Sequence, residues 1–159
     1  MNEQALQTIV DKVVREIKAP QEITLDTALL LAKKIKAKAM EMGVKAVVAI
    51  SGRAGHPVLV ECMDDSYIAS YDIAVQKAFT VVSLKMSTST LKTLAQPGGS
   101  LYGIQFTNGG KIVIFGGGEP LENPKGEIIG GLGISGGSEA QDSALAAFGK
   151  EIFEKGQYL

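Results

Sequence analysis

Of the side chains that usually build reactive centres, this 159-residue chain has few: one cysteine, Cys62, one histidine, His56, and no tryptophan. A single thiol excludes an intramolecular disulfide and a cysteine-built metal site, and it fits a reducing compartment. A single imidazole excludes a two-histidine centre within one chain, although symmetry mates can each contribute one. Excess charge is missing as well: 16 Lys and Arg stand against 17 Asp and Glu, a formal net charge of −1. Without a basic field to hold phosphates or anionic lipid, neither nucleic acid nor a membrane surface is expected as a partner. No apolar run reaches the roughly 18 residues of a membrane span, and the opening residues carry charges throughout, unlike a secretory signal. The expectation is a cytoplasmic protein. Neither a Ser-His-Asp order, a nucleophile elbow nor a G-x-x-x-x-G-K-[ST] loop is found, so no catalytic residue is assigned.

What is present is enough apolar material, 45% of the residues, for one ordinary core. Leu6, Ile9, Val10, Val13, Val14 and Ile17 fall on one stripe of a helix, which Pro20 ends. Residues 1–19 therefore read as an amphipathic N-terminal helix, 20–22 as a linker and 23–159 as the body. In the body, Thr24 is placed to cap a helix that Gly43 closes. Val44–Ile50 and Val58–Met63 are β-branched runs joined by a turn containing His56. A helix is expected from about Ser66 to Met86, with a further helical turn through Leu91 and Leu94. Three strands are expected at Leu101–Phe106, Lys111–Phe115 and Glu127–Ile134, the first two joined by Asn108-Gly109-Gly110, and Ser138 opens a last helix. The sum is an α+β domain: a mostly antiparallel sheet of about five strands with helices packed on its faces.

Glycine is abundant, 19 residues, most of them between Gly98 and Gly137. Gly131-Leu132-Gly133-Ile134-Ser135-Gly136 matches G-x-G-x-x-G, but too little chain follows for the helix, strand and ribose-binding acid of a dinucleotide unit. Gly116-Gly117-Gly118 and Gly130-Gly131 clear strand surfaces of side chains. That lets a flat ligand or another backbone come close, or marks bulges and tight packing under a helix.

Several words occur together and in order: Val47-Val48-Ala49-Ile50, Met63-Asp64-Asp65-Ser66, Gln76-Lys77-Ala78, Gln96-Pro97-Gly98 with Leu101-Tyr102-Gly103, Phe115-Gly116-Gly117-Gly118, and Ile129 to Ser138 with Gln141-Asp142. Through them most of the chain, Ile23 to Ala146, resembles the GlcG/HbpS family of haem-binding proteins, and within it the C-terminal domain of the propanediol-utilisation protein PduO. The resemblance implies a profilin-like α+β fold, homo-oligomers and haem as cofactor, with a corrinoid as a second tetrapyrrole to consider. The adenosyltransferase domain of PduO has no counterpart here, so cobalamin adenosylation is not expected. Kinship with a propanediol-utilisation protein also lets residues 1–18 be read as an encapsulation peptide for shell or cargo proteins of a bacterial microcompartment. The alternative is that the stripe folds back on the body or across an oligomer interface.

Candidate iron ligands are His56, because imidazole binds haem iron and a turn exposes it, and Thr107, where the resembled proteins place a polar or histidine side chain facing the iron. Lys77 is a candidate partner for a propionate or other carboxylate, and Gly116, Gly117, Gly118, Gly130 and Gly131 are candidate haem-facing positions. Cys62 is expected as a small core residue, Met63 and Met86 as core, and Tyr67 and Tyr71 as sharing one helix face. Glu61, Asp64 and Asp65 form an acidic group read as surface. Two further functions stand beside haem binding: an enzyme or accessory factor acting on a small carboxylate or aldehyde in a glycine-lined groove, and a structural assembly module with a vestigial site.

Overall fold

The computed structural model describes residues 2–17 and 19–159; Met1 and Lys18, which the expected N-terminal helix included, lie outside the described residues. In chain order the elements are α1 (Glu3–Ile17), α2 (Leu25–Glu41), β1 (Val47–Gly52), β2 (Pro57–Cys62), α3 (Ile68–Leu84), α4 (Thr88–Leu94), β3 (Gly118–Glu122), β4 (Ile128–Ser135) and α5 (Glu139–Glu154). Thr24 caps α2 by accepting the Thr27 N–H, and Ser138 caps α5 in a reciprocal box with Gln141. The strands form one sheet in the order β2-β1-β4-β3, each neighbouring pair antiparallel. The α+β class is as expected, with four strands among the described residues rather than about five.

Two expected strands are absent. Leu101–Phe106 is a run of turns ending in a 3-10 turn at Ile104–Phe106, and Lys111–Phe115 crosses α3 without a ladder partner. Left-handed backbone at Gly103 and at Asn108, Gly109 and Gly110 coils the chain where a hairpin was expected. Conversely, Gly118–Glu122, where no strand was expected, is the edge strand β3, where Pro120 is tolerated.

Helices cover both sheet faces, with α2 and α5 on one and α3 on the other. On the first face Val48, Ile50, Leu132 and Ile134 meet Leu31, Ile35, Leu145 and Phe153 in the main core. On the second, Val47 and Ala49 meet Ala74 and Ala78 in a thin layer. Because both faces are covered, β1 reads as a continuous apolar run rather than an alternating one. Cys62 is exposed, contrary to expectation, because it ends an edge strand where the neighbouring layers no longer reach it.

The α1 stripe, Leu6 to Ile17, is 42–76% exposed. The following segment is fastened to the body: Asn123 Nδ2 donates to the Pro20 carbonyl at 3.1 Å and Arg53 Nη2 to that of Gln21 at 2.9 Å.

Candidate functional site

The connection from α4 to β3 carries the candidates Thr107, Gly116 and Gly117, and α3 shapes it. Thr80, buried on α3, accepts the Val113 N–H at 3.0 Å through Oγ1, and Ile112 is buried beside it. Further on, Gly116 N–H donates to Glu139 Oε1 at 2.9 Å and Gly118 N–H to Thr88 Oγ1 at 2.9 Å. Residues 112–118 are therefore strapped across α3 to α4 and α5. The part before them, Tyr102 to Lys111, stands outward, with Tyr102 and Phe106 exposed.

Thr107 lies on this outward part, and its hydroxyl donates to the Ile104 carbonyl at 2.7 Å and accepts from Asn108 Nδ2 at 3.0 Å. One lone pair of that oxygen is left over. Next to it, the side-chain oxygen of Gln105 is buried without a hydrogen-bond partner. His56, also exposed, sits in the β1–β2 turn, where its carbonyl accepts the Gly52 N–H at 3.0 Å. The two segments meet over Phe79 of α3: a Cβ at Gly55 would touch the ring at 2.9 Å, and Lys111 Nζ stands 5.7 Å from its centroid. Gly55 of the His56 turn and the Lys111 ammonium thus both approach one aromatic ring.

Lys77 is elsewhere than a ligand-facing wall. It is fully buried, donating to the Ile134 carbonyl at 2.7 Å and to Asp142 Oδ2 at 3.3 Å, with its ammonium 4.9 Å from the Phe115 ring centroid. The carboxylate it meets belongs to this chain. Burial pushes the Lys77 ammonium below its ordinary value, and Asp142 works against that. Burial likewise pushes the Asp142 carboxyl up, opposed by the Gly137 N–H at 2.8 Å and by Lys77. Glu139 is shifted the other way: its hydrogen bond from Lys92, and then that from Gly116, hold its carboxyl below the ordinary range. Sequence reasoning missed Asp142 and Glu139. The available signal was Lys77 itself, a lysine three residues after Ala74 and four before Val81 on the buried stripe of α3.

The surfaces cleared by glycine are filled from within. A Cβ on Gly133 would collide with the Ala74 carbonyl, one on Gly131 with that of Ala78, and one on Gly130 with Ser51 and Ile23. Gly117, at φ +110°, lies against Lys77 Nζ and the Ile134 carbonyl, Gly116 against Ser143, and Gly118 against Thr88. Of the readings the sequence left open, tight packing under a helix is the one observed, and the flat-ligand reading of these five glycines is corrected. Among the remaining candidates, Glu61 pairs with Lys36 at 2.7 Å and Asp65 with Lys45 at 2.9 Å, while Tyr67 and Tyr71 are exposed at the start of α3. Among the described residues, no group of three His, Cys, Asp or Glu side chains is arranged to hold a metal ion, and no helix is long and apolar enough to cross a membrane.

Comparison with known proteins adds a family. A family model described as haem-degrading protein HbpS-like matches residues 23–151. The 15.0 kDa protein of the dhaT-dhaS intergenic region of Citrobacter freundii is 41% identical over 133 residues, covering 84% of this chain and 93% of that protein. The corrinoid adenosyltransferase PduO of the same organism is 40% identical over 109 residues, 69% of this chain but 32% of PduO. Among solved structures, that of a PduOC:haem complex is 35% identical, with a TM-score of 0.78 over 82% of this chain and 94% of that one.

Proposed function

The chain belongs to the HbpS-like family, and on that premise we propose that it is a haem-binding protein that assembles as a homo-oligomer. The observation that carries the reading is the approach to Phe79 of both Gly55, next to His56 in its turn, and Lys111, four residues after Thr107. The donor set suits the group: imidazole nitrogen and threonine oxygen as candidate iron ligands, exposed Tyr102 and Phe106 for the porphyrin edge, and Lys111 for a propionate. With α3 filling the glycine-cleared face, the haem sits on the outer surface of the subunit. When bound, the haem supplies iron-centred ligand and redox chemistry; this chain's residues hold and orient it. A likeness to a PduOC:haem complex points to the same cofactor.

The relatives also suggest the setting. Likeness to PduO supports a place in propanediol-utilisation-type metabolism, and the exposed stripe of α1 supports docking to shell or cargo proteins of a microcompartment within the cytoplasm. PduO's own activity is not carried over, because the chain spans about a third of that protein.

Titration of the purified chain with ferric haem, followed at the Soret band, tests the reading. We expect a saturable shift near one haem per chain or per subunit pair, abolished by either His56→Ala or Thr107→Ala. No shift at micromolar haem overturns it, and the same titration with a corrinoid, then with small carboxylates and aldehydes, distinguishes the other ligands. Deleting residues 1–20 is expected to abolish co-localisation with shells while haem binding persists; retained co-localisation overturns the targeting role.

A further inference from the structure

We propose that β2 is the seam by which two copies of this chain join, their sheets running on antiparallel across a two-fold axis at Val60. The inference rests on the reading of the protein as a homo-oligomer and names the surface involved. The two sheet edges differ. At the β3 edge Pro120 occupies the middle of the strand and blocks continuation, whereas β2 carries proline only at its first position, Pro57.

Hydrogen-bond alternation then says which backbone groups of β2 face outward. Met63 N–H donates to the Ala46 carbonyl at 3.0 Å, and the register continues as Val47↔Cys62, Val48↔Glu61, Ala49↔Val60 and Ile50↔Leu59. In an antiparallel pair every second residue bonds its neighbour, so Glu61 and Leu59 turn their amides toward β1. Val60 and Cys62 turn theirs away, to an edge where no described strand lies.

The flank of this edge is apolar and uncovered. Val60 packs on the α3 side with Val75. Tyr71 precedes Val75 by four positions and Ile68 precedes Tyr71 by three, so these three residues form one stripe of α3. Ile68 is 97% and Tyr71 54% exposed. A second copy added along β2 brings its own α3 to the same side of the joined sheet, and the two stripes meet beside the axis.

Charge selects the register. With Val60 opposite the partner's Val60, two β-branched side chains face each other and Leu59 lies opposite the partner's Glu61. A shift that centres the axis on Glu61 sets two carboxylates face to face, which is unfavourable.

The test uses the full chain. Light scattering after size exclusion is expected to give an even multiple of 16.7 kDa. Val60→Pro deletes only an outward N–H of an edge strand; it is expected to halve the mass at least, with an unchanged far-UV spectrum. In a Cys62→Ser background, Val60→Cys is expected to form a covalent dimer on mild oxidation, because a hydrogen-bonded pair has Cα atoms about 5.5 Å apart, within disulfide reach. The unsubstituted protein is expected not to cross-link, since its two Cys62 residues stand roughly 13 Å apart along the strands. Should the assembly persist in a folded Val60→Pro variant, or the Val60→Cys thiols fail to couple, the seam is wrong while the oligomer reading stands. A wild-type mass of a single chain overturns both. If Val60→Pro fails to fold, the cross-link alone decides.

Discussion

Between the sheet and helices α2 and α5 lie leucines, isoleucines, valines and a phenylalanine; between the same sheet and α3 lie Ala49, Ala74, Ala78, Gly131 and Gly133. The first interface holds by buried apolar volume, which is forgiving of small changes in shape. The second holds by closeness of backbone to backbone. That closeness brings helix and strand backbones together, and polar side chains bond across the gap: Ser51 Oγ donates to the Ala78 carbonyl of α3 at 3.3 Å, Ser135 Oγ bonds Ser70 Oγ at 3.0 Å, and Lys77 of α3 donates to the Ile134 carbonyl of β4. One side of the sheet is oil and the other is masonry. The strap that carries the Thr107 loop lies over α3 on the second side, so the positions of Thr107 and Lys111 inherit its tolerances.

The contrast is broken most severely by adding atoms to the tight side. Gly133→Val is expected not to fold, a loss of more than about 5 kcal/mol, because the collision is with helix backbone that cannot yield. Absence of a cooperative urea transition checks this, and a stable variant would mean that α3 can retreat. Next comes the buried pair. Lys77→Met leaves Asp142 buried and unmatched and is expected to cost about 3–5 kcal/mol, most of it recovered in Lys77→Met/Asp142→Leu. A double-mutant cycle by denaturant unfolding reads the coupling directly. On the large-residue side, Ile134→Val removes one methylene from a core with neighbours able to adjust, and about 1 kcal/mol is expected in the same assay.

The smallest effect concerns pH. Glu139 ties Gly116 and Lys92 to the start of α5, and its carboxyl is held below the ordinary 4.5 in the folded protein. A depressed folded value means that its contribution is complete above the unfolded value and disappears as pH falls through the folded one. Thermal melts from pH 6 to pH 3 should therefore show a slope shallower in Glu139→Gln than in the wild type.

Elements held by periodic apolar residues and side-chain caps were legible in the sequence: α2 from Thr24 and Gly43, α5 from Ser138, and the continuous runs of β1 and β4. Lys111–Phe115 misled because its β-branched run Ile112-Val113-Ile114 is that of a strand, yet its amide at Val113 is satisfied by the Thr80 hydroxyl instead of a neighbouring strand. Gly118–Glu122 was hidden by the opposite error, since glycine and proline usually break a ladder but are at home on an edge. Of the candidate site, His56 and Thr107 are exposed, as a turn and an outward loop make them, whereas the role of the glycines could not be read from composition. Whether an empty strand face admits a ligand or a helix depends on a partner distant in sequence: Ala74 and Ala78 for Gly131 and Gly133.

The amine of Lys77 has no exposed surface at all. A reagent that acylates amines in water meets the other lysines of the body on the folded protein, but meets this one only in the moments when α3 lifts from β4. Its labelling rate is therefore a clock for that separation, and occupancy of a site strapped across α3 should slow it.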